Sequence, residues 1–369
     1  MPALTVMIKP VSGACNMRCA YCFYADVAGH RSEPSFGAMS EGTLETLVRR
    51  AFAYADGAVT FLFQGGEPTL AGKDFYRRFL ELQRRFNARG IPVQNSLQTN
   101  GYALDEEWCA LFREGRFLIG VSVDGTRALH DECRVDAAGN PTHERVQENL
   151  ALLRREGVEY NVLCVVDERV ARQGEAVFRA LAPHGFVQFI PCLDGFDGEK
   201  TARSLDAKTY GRFLIATYDL YERAIYAGKP VSVRTFDNWI AMLLGRPPAS
   251  CGMSGRCGGY FLIEANGNAY PCDFYVLDEW LLGNVNDASF FKLAKSPTAS
   301  RFLQESVPLP ERCEGCEWLF LCRGGCRRDR EPYAGGLPSA NRLCEGHRLF
   351  FSQRMGNMKR LAAHVAARV

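Results

Sequence analysis

Six times between residues 3 and 226, a short apolar run gives way to a helical stretch. The runs are residues 3–8, VTFLF (59–63), VQNSLQ (93–98), FLIGVSV (117–123), YNVLCVV (160–166) and FVQFIPC (186–192). The first helix has Ser40 as its expected N-cap and Leu44, Leu47, Val48, Ala51 and Phe52 as its buried stripe. The next runs through Phe75, Phe79 and Phe86 and stops near Gly90; others are expected at about 106–113, 143–155, 169–182 and 207–226. Such alternation predicts a parallel sheet with right-handed crossovers. A partial (β/α)6 TIM-like barrel fits better than a doubly wound sheet, because the distinctive residues cluster where strands end. These are the cysteine loop after the first strand, Gln64-Gly65-Gly66-Glu67 after the second, Gln98-Thr99-Asn100 after the third and Asp124-Gly125 after the fourth. In barrels that rim carries the catalytic loops.

From about residue 235 the alternation ends. The remainder is rich in cysteine, glycine and turns, with a hairpin expected where Asn266-Gly267 joins FLIEA to NAYPC. The expected division is a barrel at 1–235 and a small cysteine-rich α+β domain at 236–369, stapled by metal instead of by a large core.

Charge is nearly balanced, 44 basic against 42 acidic residues, which gives no reason to expect nucleic acid or an anionic membrane as partner. No apolar run is long enough to span a bilayer, and LTVMIKP is too short for a signal peptide, so a soluble cytoplasmic protein is expected. There the 15 cysteines favour metal ligation or catalysis over disulfides. Cys109, Cys133, Cys164 and Cys192 are scattered and read as packing residues.

Cys15-Asn-Met-Arg-Cys19-Ala-Tyr-Cys22 places three thiolates within eight residues. A closed zinc site or a fully ligated cluster needs four protein ligands, so three leave a coordination position open for substrate or cofactor. The alternative is a zinc site completed by His30. Farther along, Cys313, Cys316, Cys322, Cys326 and Cys344 follow Cys251, Cys257 and Cys272. Eight thiolates suffice for two fully ligated clusters, or for two four-cysteine zinc sites; spacing alone leaves both open.

The Cys15–Cys22 loop, with aromatic Tyr21 before its last cysteine, resembles that of the radical S-adenosylmethionine enzymes. By that resemblance the open iron binds the amino and carboxylate groups of S-adenosylmethionine, and Gly65, Gly66 and Glu67 match the GGEP motif lining the cofactor's amino end. The later cysteines resemble a SPASM extension. Its interleaved ligation implies Cys251, Cys257, Cys272 and Cys326 for one auxiliary cluster and Cys313, Cys316, Cys322 and Cys344 for the other, giving three [4Fe-4S] clusters in all.

Over essentially the whole chain the finer resemblance is to anaerobic sulfatase-maturating enzymes. It is carried by IKPVSGACNMRCAYCFY, FLFQGGEPTLAG, NSLQTNG, VSVDG, LCVVD, SCGMSGRCGG, AYPCDFYVLDEWLLGNV and CEWLFLCRGGCRRDR. The resemblance implies oxidation of a cysteine or serine in a C/S-x-P/A-x-R segment of an unfolded or nascent sulfatase to formylglycine, with electrons from a donor such as ferredoxin or flavodoxin. It implies Asp273 as catalytic base, next to ligand Cys272; otherwise Asp273 caps a turn or pairs with an arginine. Ser122, Arg134 and Leu193 match positions contacting S-adenosylmethionine, and Tyr24, Gln64 and Asp124 are expected in the wall facing the peptide.

The rival enzyme reading is a maturase forming a thioether or other crosslink in a ribosomal peptide. Such enzymes often carry a leader-binding domain, for which the early first strand is expected to leave no room. A non-enzymatic alternative is an electron-transfer or zinc-binding scaffold. Iron and sulfide content after anaerobic reconstitution separates it from the radical reading.

Overall fold

A computed structural model describes residues 3–334 and 337–367 of the 369. Twelve strands concern us: β1 (Leu4–Ile8), β2 (Met17–Cys19), β3 (Val59–Phe63), β4 (Val93–Thr99), β5 (Phe117–Ser122), β6 (Arg134–Asp136), β7 (Tyr160–Val166), β8 (Phe186–Pro191), β9 (Ser232–Val233), β10 (Phe261–Ile263), β11 (Asn268–Tyr270) and β12 (Gly283–Asn284). The chain forms two compact units that do not follow chain order. The first comprises 1–122, 131–160 and 259–302; the second 123–130, 161–258 and 303–369.

In the first unit the sheet order is β12-β11-β10-β1-β3-β4-β5. β1, β3, β4 and β5 pair in parallel, as expected of apolar strands separated by crossover helices. Helix Glu41–Tyr54 begins where Ser40 Oγ accepts from the Thr43 N–H, and it buries Leu44, Leu47, Val48, Ala51 and Phe52, as its spacing predicts. Helix Lys73–Phe86 differs from expectation: Tyr76, Phe79, Leu80, Leu82 and Gln83 are buried, while Phe75 and Phe86 are half-buried. Gln83 can turn inward because its amide donates to Asn95 Oδ1 at 2.6 Å. The Asn266-Gly267 hairpin forms, with Gly267 at φ 89°, and β10 then lies parallel on β1.

In the second unit β7, β8 and β9 run parallel. The helix expected at 169–182 is two, Glu168–Ala171 and Gly174–Leu181. Asp167 caps the first through the Arg169 and Val170 N–H groups, and the restart brings Gly174 against helix Ala207–Tyr226, where a Cβ would lie 3.1 Å from Phe213. Beyond 235 order continues further than expected. Helix Arg234–Leu243 and a 23-residue helix, Cys344–Ala366, pack around Tyr218, Phe236, Trp239, Phe350 and Phe351. The last helix meets Ala207–Tyr226 so closely that a Cβ on Gly346 would fall 2.1 Å from the Ala207 carbonyl oxygen.

His347, on that last helix, is held by burial well below the ordinary imidazole value, at about 4, with Arg342 adding to the burial and Asp329 opposing it. It is neutral when folded but protonates near 6.5 when unfolded, so its contribution is complete above that value and is lost as pH falls from about 6.5 to 4. That amounts to roughly 3 kcal/mol at most. His347→Phe should flatten the pH dependence of chemical denaturation between pH 4 and 6.5; an unchanged slope would assign it elsewhere.

Candidate active site

β1 leads into the first cysteine loop, and the glycine turn after β3 locks against it. The Gly66 N–H donates to the Ser12 carbonyl at 3.1 Å and the Glu67 N–H to that of Ala14 at 2.7 Å. Gly65 has φ 135°, and a Cβ on Gly66 would lie 2.0 Å from the Ala14 oxygen, so neither position accepts a side chain. The Glu67 carboxylate, fully buried, accepts from the Thr69 N–H and hydroxyl, the Thr99 hydroxyl and the Asn100 N–H. Asn100 then donates to Asn16 at 2.7 Å and to Cys15 Sγ at 3.8 Å. Gly66→Ala should displace the loop backbone, costing about 1–3 kcal/mol. The melting temperature checks this.

β2, which carries Cys19, pairs antiparallel with β6, placing Arg134 opposite Cys19. The Arg134 guanidinium donates to the Tyr21 hydroxyl at 2.8 Å, so two expected cofactor contacts meet beside the loop. Ser122 ends β5 and is buried. Leu193 follows β8 in the second unit and is half-buried.

Asp273 follows the hairpin laid on β1 and is 4% exposed. Tyr24 donates to its two oxygens at 2.9 and 3.1 Å, and Gln64 to Oδ2 at 3.2 Å. Two expected wall residues thus converge on the expected base. Asp124, the third, lies in the second unit, fully buried, accepting from the Val165 N–H at 2.9 Å. Sequence reasoning missed Lys9. Its ammonium is buried, 4.0 Å from Asp273 and 3.6 Å from Glu264, and lies 4.3 Å from the centre of the Tyr24 ring. Arg31 bonds Glu264 at 2.8 Å from the other side. A lysine ending an otherwise apolar strand was the available signal. Tyr260 was missed as well: it accepts from the Asp273 N–H at 3.1 Å and donates to Cys272 Sγ at 3.3 Å.

Burial pushes the Asp273 carboxyl up to about 6, against the opposing charge of Lys9 and the Tyr24 hydrogen bond. Burial and the neighbouring carboxylate push the Tyr24 phenol well above its ordinary value, so it stays a donor.

In the second unit, Cys313, Cys316, Cys322 and Cys344 form one electrostatic group. Burial pushes the Cys322 thiol up to about 11; the Gly324 N–H opposes this, and the charges of the other three add to it. Burial raises the Cys257 thiol, Arg327 opposes it and Cys251 adds a smaller push upward, and a Cβ on Gly252 would lie 3.5 Å from that of Cys326. Thiols that repel one another as anions suit a shared multinuclear cation, which removes the repulsion on binding. Among the described residues no three His, Cys, Asp or Glu side chains close on a single metal ion. A four-iron cluster takes four thiolates, one on each iron, and each implied set supplies four. The donor sets therefore fit iron–sulfur clusters.

Residues 10–175 match the Radical SAM superfamily, and residues 251–317 match SPASM, an iron-sulfur cluster-binding domain. The cysteine-type anaerobic sulfatase-maturating enzyme of Clostridium novyi (strain NT) is 41% identical over 372 residues, with 100% of both chains covered. The serine-type enzyme of Bacteroides thetaiotaomicron is 32% identical over 94% of this chain and 88% of its own. Among solved structures, native anSMEcpe with bound AdoMet and Cp18Cys peptide matches with TM-score 0.94 at 38% identity, covering 99% of this chain and 100% of that one. The fold is accordingly an α/β partial barrel carrying a SPASM-type C-terminal domain. With full-length likeness at this identity, the chain belongs to the anaerobic sulfatase-maturating enzymes of the radical S-adenosylmethionine superfamily.

Proposed function

We propose that this chain oxidises the cysteine of a sulfatase C-x-P/A-x-R segment to formylglycine, using Asp273 as the base. The observation that carries this reading is the convergence of Tyr24, Gln64 and Lys9 on a buried carboxylate. Cys15, Cys19 and Cys22 hold the radical cluster. Tyr21, Gly65, Gly66, Glu67, Ser122, Arg134 and Leu193 hold S-adenosylmethionine. Cys251, Cys257, Cys272 and Cys326 hold one auxiliary cluster and Cys313, Cys316, Cys322 and Cys344 the other, dividing the work between residues 1–235 and 236–369. When bound, the radical cluster and S-adenosylmethionine supply a deoxyadenosyl radical that takes one hydrogen atom from the target Cβ.

The substrate must then lose the thiol proton and one electron before water replaces sulfur and sulfide leaves. Asp273 accepts that proton. With its carboxyl at about 6, it is ionised at neutral pH yet basic enough to take a proton. Tyr24 and Gln64 fix the carboxylate by donating to it, and Lys9 offsets the cost of burying its charge. Lys9→Met should leave S-adenosylmethionine cleavage in place and lower formylglycine formation about tenfold, the range of a supporting electrostatic contact. Parallel assays of deoxyadenosine and aldehyde check this.

The partners of this reading are an unfolded or nascent sulfatase and a low-potential donor such as ferredoxin or flavodoxin, met in the cytoplasm; neither nucleic acid nor a membrane takes part. Among the described residues no helix is long and apolar enough to cross a membrane. A cysteine target is favoured over serine because the cysteine-type relative is 41% identical and the serine-type one 32%. Paired Cys and Ser peptides after anaerobic turnover decide this: kcat/KM should favour the Cys peptide at least tenfold, and a preference for Ser would reverse the assignment.

A further inference from the structure

Arg330 is a buried cation without a counter-charge among the described residues. Its side chain is 1% exposed. Nη1 donates to the Pro308 carbonyl at 3.0 Å and Nη2 to that of Ser306 at 2.7 Å, while Nε has no partner among the described residues. No carboxylate pairs with it among those residues. Arg327 nearby differs, since Glu305 meets its guanidinium at 2.8 Å. A guanidinium cannot shed its proton, and burying one without a counter-charge is expensive. Something anionic belongs beside it.

The surroundings of Arg330 are the auxiliary thiolates. Ser306, whose carbonyl it holds, accepts through its hydroxyl from the Cys257 N–H at 2.9 Å. Gly324, between Cys322 and Cys326 in sequence, lies alongside, where a Cβ would be in van der Waals contact with Nη1 at 3.8 Å.

We propose that Arg330 is the counter-charge of the auxiliary clusters and raises their reduction potentials, making them able to receive the substrate's electron. The inference rests on the iron–sulfur reading of the SPASM cysteines. A four-iron cluster bound by four thiolates is net negative, and net charge is one of the quantities that set its potential. With the clusters bound, the electron released as the carbon–sulfur double bond of the substrate forms would pass to an oxidised auxiliary cluster, its proton going to Asp273. The thiolate site receiving it would become one charge more negative. A fixed buried cation favours that product over its precursor. Arg330 thus acts as a positioning residue, through charge.

The test is an EPR-monitored redox titration of reconstituted holoenzyme, with Arg330→Gln and Arg330→Lys beside the wild type. A Cys15→Ala/Cys19→Ala/Cys22→Ala background isolates the auxiliary signals. In R330Q the reduced-to-oxidised ratio at a fixed potential should fall at least tenfold, 59 mV for a one-electron couple. R330K should stay within about threefold of wild type, since it keeps the charge. Unchanged midpoints in an iron-replete R330Q would overturn the proposal. Should R330Q lose its iron, the apoproteins decide. Removing an uncompensated cation should leave apo R330Q at least as stable as apo wild type. A less stable or unfolded apo R330Q would make Arg330 an ordinary structural residue. If the triple-alanine background itself held no iron, the auxiliary-cluster reading would fail before Arg330 was tested.

Discussion

Replacing Asp273 by asparagine should leave S-adenosylmethionine cleavage intact while formylglycine formation falls by roughly 10²- to 10⁴-fold, the usual contribution of a positioned general base. Asparagine keeps an oxygen for the Tyr24 and Gln64 donors, so the geometry around residue 273 should persist. What it lacks is the capacity to take a proton. The cysteine loop and its glycine turn are bonded to one another through Ser12, Ala14, Glu67 and Asn100 and do not rely on Asp273. Deoxyadenosine should therefore still appear, uncoupled from product. Comparing the two yields in one reaction distinguishes this from a general loss of activity. Loss of both together would mean that Asp273 supports the fold, and unchanged aldehyde would remove it as the base.

The second large effect concerns the loop itself. Changing Cys15, Cys19 and Cys22 together to alanine should abolish S-adenosylmethionine cleavage and remove about four of about twelve irons. About eight irons should remain, because none of the eight thiolates implied for the two auxiliary clusters belongs to this loop. The variant should stay folded, since the aromatic core of the first unit, with Phe61, Phe63, Tyr76, Phe79 and Phe117, does not involve these residues. Iron analysis and circular dichroism check both statements. Loss of all iron would contradict the auxiliary-cluster reading.

How far this was legible in the sequence depends on how local each feature is. The strand–helix alternation and the Ser40 cap follow from spacing, and the structure places them where the pattern does. The cysteine loop and the glycine turn were legible as motifs. Their mutual locking was not, because it depends on β1 and β3 being neighbours. Glu264 and Arg31 were invisible for the same reason, and Lys9 showed only as a lysine directly after an apolar strand. They meet only because β10 lies parallel on β1, a pairing between residues about 250 positions apart that no local pattern encodes. The long last helix was obscured by the cysteine- and glycine-rich stretch before it, which drew attention to metal instead of to the apolar stripe of Phe350, Met355, Met358 and Leu361. Helix 169–182 reads as continuous in the sequence because nothing local to Gly174 shows that it must fit against Phe213.

Mass spectrometry of a C-x-P-x-R peptide after anaerobic turnover with reconstituted enzyme, reductant and S-adenosylmethionine tests the central claim most directly. The account predicts an aldehyde in place of the target cysteine thiol, formed in step with deoxyadenosine. Deoxyadenosine accompanied by an unchanged or crosslinked peptide would contradict it.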